Sequence, residues 1–215
     1  MNTFFKFTTI SLLIYSLVSC ATDTRKSYWE NGNLQSELRY RDDKLNGKAV
    51  WYFENGKKEQ EVFYTDNVLN GPLKRWYNNG HPETESFYKN GLLEGTAVTY
   101  ASNGNKVLEE NYINDTLSGK YFEWFPGGKI KIEGAYIHGL YSGRWVYYSP
   151  GGDIVGVGNF KKGSGVQKAW WPNGNLKREI IYKNNLKNGT EKWYDEEGNL
   201  EKTLYFEDGR EVREP

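Results

Sequence analysis

Polar clusters centred on glycine alternate with short stretches rich in aromatic and β-branched residues from residue 28 to about residue 210, and the alternation is periodic. A turn glycine, most often preceded by Asn, recurs at Gly32, Gly56, Gly80, Gly104, Gly128, Gly152, Gly174 and Gly198, in steps of 24 residues with a single step of 22. A second glycine follows 15 residues later at Gly47, Gly71, Gly95, Gly119, Gly143 and Gly189, and 13 residues later at Gly165. Rings keep the same period. Eight residues after each turn glycine stand Tyr40, Tyr64, Tyr88, Tyr112, Tyr136, Phe160, Tyr182 and Phe206. Five residues after each second glycine stand Tyr52, Trp76, Tyr100, Trp124, Tyr148, Trp170 and Tyr194, with Tyr28 in the equivalent place before the first turn. Segments such as 35–40 and 48–53 have strand length, strand composition and no room for a helix. Asn-Gly, which accepts the positive φ of a tight hairpin turn, occurs nine times. The pattern predicts an all-β chain: an elongated antiparallel meander, or solenoid, of about eight hairpin repeats of 24 residues. Its roughly sixteen strands would extend about 75 Å. The two residues missing between Phe160 and Gly165 are expected in a loop, where a deletion costs least.

Equivalent rings in successive units would lie about 10 Å apart, so the strand between them must supply a ring or a long side chain for them to pack. Whether both ring series share one face depends on loop length, because a one-residue slip turns every side chain over. The pattern leaves that open. It predicts a kink or bulge in the sixth unit, where Gly156 and Gly158 replace strand side chains.

The first twenty residues are of another kind. Lys6 precedes an apolar stretch over about 10–18 that is too short for a comfortable membrane span. It ends in Leu17-Val18-Ser19-Cys20, which resembles the bacterial lipobox, and Cys20 is the only thiol in the chain. That resemblance implies a diacylated Cys20 as mature N-terminus, and Ala21 after it points to the outer membrane or cell surface. The resulting organisation is a lipoprotein signal over 1–20, a tether over 21–27, the array over 28–210 and a tail over 211–215.

Composition narrows the chemistry. Basic and acidic residues balance at 28 each, which gives no pull toward nucleic acid. One Cys and two His leave no basis for a disulfide framework or a His- or Cys-ligated metal centre. His81 and His138 sit in separate turns and read as turn residues. Gly156-Val157-Gly158 lacks the following helix that a phosphate loop requires. No cofactor, metal or catalytic residue is expected, and the chain reads as a non-enzyme.

The unit, aromatic-x-x-Asn-Gly followed by Glu, Tyr and a second Asn-Gly, is similar to the MORN-type repeat, and more closely to the bacterial variant of the YwqK antitoxin-like family. The resemblance covers about residues 28–210 and implies an interaction scaffold. It carries no catalytic motif. With the lipobox it implies a lipid-anchored, non-catalytic binding scaffold at the bacterial envelope, meeting the membrane through the lipid on Cys20. A protein partner is expected. One alternative is an antitoxin or immunity protein that neutralises a toxin by direct binding; another is a carbohydrate-binding envelope module, since Trp and Tyr stack on sugar rings.

Two further sets of residues are candidates for binding. A Glu stands five residues after most turn glycines, at Glu37, Glu61, Glu85, Glu109, Glu133 and Glu179, with Val157 and Thr203 breaking the series. Carboxylates about 10 Å apart cannot share one Ca2+, so each is expected to pair with a cation on a neighbouring strand. Trp51, Phe53, Tyr77, Phe125, Trp145, Tyr147, Trp171 and Trp193 lie beside the ring series, on the opposite face, and are the candidate partner-binding residues. They form either an exposed aromatic surface or the second packed face of a single-layer sheet.

Overall fold

The computed structural model describes residues 22–214. The expected signal over 1–20, with Cys20 as the expected lipidation site, lies outside them. The first strands are β1 (Thr22–Tyr28), β2 (Leu34–Arg41), β3 (Lys44–Tyr52), β4 (Lys58–Thr65), β5 (Val68–Leu69), β6 (Gly71–Trp76) and β7 (Pro82–Lys89). The middle of the array holds β8 (Leu92–Leu93), β9 (Gly95–Tyr100), β10 (Lys106–Ile113), β11 (Thr116–Leu117), β12 (Gly119–Trp124), β13 (Ile130–Ile137) and β14 (Leu140–Tyr148). The last are β15 (Ile154–Lys161), β16 (Ser164–Trp170), β17 (Leu176–Lys183), β18 (Leu186–Tyr194), β19 (Leu200–Glu207) and β20 (Arg210–Val212). They form one open antiparallel meander. The short strands β5, β8 and β11 are the starts of β6, β9 and β12, because both members of each pair hydrogen-bond the same preceding strand. Residues 22–27, expected as a tether, instead pair along β2 as the first strand, and the tail begins with β20 on β19.

The two edges of the sheet carry different turns. Along one edge, Gly32 N–H donates to Trp29 O (2.9 Å) and Trp29 N–H to Asn33 O (2.8 Å). Within that loop only Gly32 is left-handed, with φ 84°. This is the three-residue hairpin with a bulged glycine, not the two-residue Asn-Gly turn. Asn is used here for its side chain. Asn79 Oδ1 accepts from His81 N–H (2.9 Å) within its own loop, while Nδ2 donates to Ser102 O (2.7 Å) in the next. Asn31, Asn55 and Asn173 make the same two bonds. Asp could supply the acceptor but not the donor. Asn79→Asp is therefore expected to lower stability by about 1 kcal/mol, seen as a lower melting temperature. An unchanged melt would mean that Asn recurs for its backbone conformation alone.

Along the other edge the turns have two left-handed residues each, from Asp42 and Asp43 (φ 50° and 58°) to Asp208 and Gly209 (46° and 84°). These are the type I′ turns, and they fall at residues that the glycine pattern does not mark. Successive tips are joined backbone to backbone, as in Gly91 N–H to Leu69 O (2.7 Å) and Gly139 N–H to Leu117 O (2.8 Å). The second glycine series lies inside the strands. Ala135 pairs with Ser142 and Glu133 with Val146, so β14 carries two extra residues there, and the same shift recurs between β2 and β3 and between β17 and β18. A Cβ on Gly71 would lie 2.9 Å from Phe63 Cβ, and one on Gly119 2.8 Å from Asn111 Cβ. At Gly71 and Gly119 close cross-strand approach at the bulge requires glycine, whereas Gly95 and Gly143 have open space and meet the bulge through a left-handed φ of 78° and 69°.

The sixth unit differs. Its two missing residues are the bulge itself, so β15 and β16 pair without interruption from Gly156 with Ala169 to Lys161 with Ser164. The deletion is within a strand, not in a loop, and the bulge beside Gly156, where Tyr147 pairs with Gly156 and Tyr148 with Ile154, is the one that recurs at this place in other units. Gly158, and Gly134 on β13, instead make room for rings. Gly158 lies opposite Trp145, and a Cβ there would meet Phe160 at 2.3 Å; one on Gly134 would meet Trp145 at 2.2 Å.

Register also settles the faces. Leu38 pairs with Ala49 and Ser36 with Trp51, which places Tyr40 and its series on the same face as Trp51. Tyr52 and the second ring series lie on the other. On the first face Trp145 sits among Tyr141 (ring centroids 4.7 Å), Tyr136 (5.1 Å) and Tyr121 (5.3 Å). Phe160 joins Tyr141 and Tyr182 to this cluster. With Trp145 3% exposed, it is the thickest part of the core. Burial pushes the Tyr121 phenol up to about 12, and those of Tyr136 and Tyr147 up as well, so the cluster is uncharged.

Candidate partner-binding surface

Most of the candidate groups are engaged inside the sheet. The Glu series forms a lane of ion pairs: Glu61 with Lys58 (2.6 Å) and Lys48 (3.0 Å), Glu85 with Lys74 (3.0 Å), Glu109 with Lys106 (2.6 Å) and Glu179 with Lys168 (3.0 Å). Glu37 lies 3.9 Å from Lys26, and Glu133 accepts from the Tyr148 hydroxyl (2.7 Å). Exposed pairs of this kind contribute little each. His81 Nδ1 lies 2.9 Å from Ser102 O, and His138 takes a left-handed turn position. Among the described residues no group of His, Cys, Asp or Glu could hold a metal ion.

The extra rings divide three ways. Trp145 is not exposed but buried, and its Nε1 donates to Ala135 O (3.2 Å). Trp51, Tyr147 and Trp193 are half-buried on the same face. Phe53, Tyr77, Phe125 and Trp171 open the glycine loops, and the polar tips brace the next unit: Tyr77 hydroxyl to Tyr100 O (2.8 Å), Trp171 Nε1 to Tyr194 O (3.0 Å). The sheet thus packs rings on both faces. Only Trp171 and Trp193 meet at one opening.

That opening lies between the loops 149–153 and 171–175. At the two preceding turns the Asn that ties one loop to the next is replaced, by Gly127 and by Gly151, each following Pro. Lys129 Nζ reaches Gly151 O (2.7 Å) and closes the first gap. Among the described residues no hydrogen bond closes the second. Two clefts of about 600 and 610 Å³ open there, sharing Ser149, Val155, Trp170, Trp171 and Pro172. One extends to Pro150, Lys177, Arg178 and Trp193; the other to Asp153 and Ile154. The Lys177 ammonium lies 3.9 Å from the centre of a Trp171 ring, and Arg178 lies 4.4 Å over Trp193.

The two cations differ in charge balance. Arg178 is bound to Glu191 (2.6 Å), which is 2% exposed and also holds Lys187. Lys177 has no ion-pair partner among the described residues. Removal from water pushes the Glu191 carboxyl up, but the hydrogen bond from Lys187 and the charge and hydrogen bond of Arg178 outweigh it, and it ionises below the ordinary glutamate range. A lowered folded-state value contributes stability above the unfolded-state value and loses it as pH falls through the folded one. Wild type should therefore lose more stability than Glu191→Gln between about pH 5 and pH 3, measured by thermal melts across that range; equal slopes would contradict the pairing.

Pro150, Val155, Pro172 and Lys177 were not among the sequence candidates, and Trp170 was assigned to packing. Two signals coincide at the place: Pro-Gly-Gly in a turn, shared with residues 126–128, and the adjacent pair Trp170-Trp171 in the next unit.

Among known families, a model described as MORN repeat variant matches seven segments, residues 24–42, 45–66, 69–90, 93–114, 117–138, 164–184 and 187–208. All seven end at the first residue of a type I′ tip, so the repeating unit is the ribbon from one tip to the next. The matches pass over residues 139–163, which hold Trp145, Gly156, Gly158 and the Pro150 turn. No curated protein matches the chain.

Proposed function

The chain belongs to the MORN repeat variant family, and from that premise we propose that it is a lipid-anchored, non-catalytic scaffold that binds another protein at the bacterial envelope. Repeats of this family are typically binding and scaffold modules, and the family is generally non-enzymatic. The observation that carries the reading is a coincidence of place. The stretch that departs from the family pattern is the one beside which the loops separate and leave apolar clefts. A departure that removes a tie and leaves Trp and Pro side chains around an opening costs stability, which a binding role accounts for.

The anchor rests on Leu17-Val18-Ser19-Cys20. Acyl chains contribute about 0.8 kcal/mol per buried CH2, and two or more hold a protein on a membrane stably. Cys20→Ser is expected to move the protein from the membrane fraction to the soluble fraction; unchanged partitioning would contradict lipid anchoring. The similarity to antitoxin-like arrays makes a toxin one class of partner. Restored growth when the chain is co-expressed with a toxin encoded beside it supports that form of the role, and failure with every neighbouring gene counts against it.

A further inference from the structure

We propose that the cleft between the loops 149–153 and 171–175 receives an extended segment of a partner protein that carries an apolar or aromatic side chain beside a carboxylate. This rests on the binding role proposed above and gives it a site and a chemistry. The walls are Pro150, Val155, Trp170, Trp171 and Pro172, side chains with few rotamers to lose, so an apolar group entering between them releases water at little ordering cost. A volume of about 600 Å³ suits one or two side chains of a strand-like segment rather than the surface of a folded domain.

Charge selects the second feature. Lys177 brings an ammonium that no carboxylate among the described residues pairs with, held 3.9 Å over Trp171, whereas Arg178 beside it is taken by Glu191. Asp153, which accepts from the Ser149 hydroxyl (3.3 Å), lines only the adjoining cleft. The cleft that Lys177 lines has Arg178 but no carboxylate in its wall, so it carries a positive charge that a partner carboxylate complements. The Trp170 indole N–H, which has no hydrogen-bond partner among the described residues, is a donor for the same segment. Sugar stacking fits less well: the Trp171 N–H is spent on Tyr194 O, Lys177 covers one of its faces, and the nearby Ser149 and Asp153 satisfy each other.

The test uses the full chain in detergent and an array of synthetic ten-residue peptides that vary one Pro, Trp or Leu against an adjacent Asp, Asn or Lys, with an oligosaccharide panel alongside. Peptides pairing an apolar residue with Asp are expected to bind, about tenfold more tightly than their Asn counterparts. Lys177→Glu is expected to weaken them about tenfold and to favour the Lys peptides instead, with the melting temperature unchanged. Trp171→Ala should abolish binding, and Pro172→Asp, at an exposed position, gives the same reading if Trp171→Ala fails to fold. Indifference to charge, binding unaltered by Lys177→Glu and Pro172→Asp, oligosaccharide binding in place of peptide, or a blank array would each overturn the proposal. A blank array alongside a protein partner cross-linked elsewhere on the sheet would overturn this site and leave the scaffold role standing.

Discussion

Trp145→Ala is expected to lower the stability of the array by about 3–5 kcal/mol, the range for removing a large buried ring from a core that cannot collapse around the gap. The site cannot collapse for a concrete reason: the floor under the indole is Gly134, whose missing Cβ would lie 2.2 Å from the ring, so nothing on that strand fills the space. Four neighbouring rings lean on one another through Trp145 and Tyr141, and the indole N–H holds Ala135 O. In a repeat array each unit is stabilised by its neighbours, and weakening one interface uncouples the halves. Calorimetry should accordingly show a lower melting temperature and a transition split in two. A loss no larger than that of Trp193→Ala, with a single transition, would show that the cluster is not the centre of the fold.

Gly165→Ala is the second large effect. A Cβ at this position would lie 2.0 Å from the backbone oxygen of Asn159, and backbone in an unbulged ladder cannot retreat without breaking pairs on both sides. The expected loss is about 3 kcal/mol, the upper part of the range for overpacking. Gly32→Ala is the comparison. A Cβ on Gly32 meets nothing within 4 Å, so only the φ of 84° opposes it, at about 1 kcal/mol. Equal losses would mean that glycine is required throughout for φ alone. Denaturant titration of both variants distinguishes the cases.

The period, the two ring series and the single-sheet architecture were legible because each unit repeats the same local rules. The roles of the glycines were not, since Asn-Gly serves both a turn and a bulge: Asn31-Gly32 closes a loop, while Asn46-Gly47 lies within β3. The type I′ tips escaped because Asp42-Asp43 and Asn114-Asp115 adopt left-handed geometry without glycine. The faces depended on the bulge having two extra residues, an even number that preserves alternation, and nothing in the local sequence states that number. The cleft was hidden for a related reason. Reading Gly151 as the loss of a tie requires knowing that Asn79 reaches Ser102 in the next loop.

The partner is expected to sit at the cleft beside the interrupted repeat. A photo-reactive amino acid placed at Pro172, beside the cleft, and separately at Lys89, on the opposite edge, tests it in the cells that make the protein. One covalent protein adduct is expected from position 172 and none from 89; adducts from 89 alone, or equally from both, would place the partner elsewhere on the sheet.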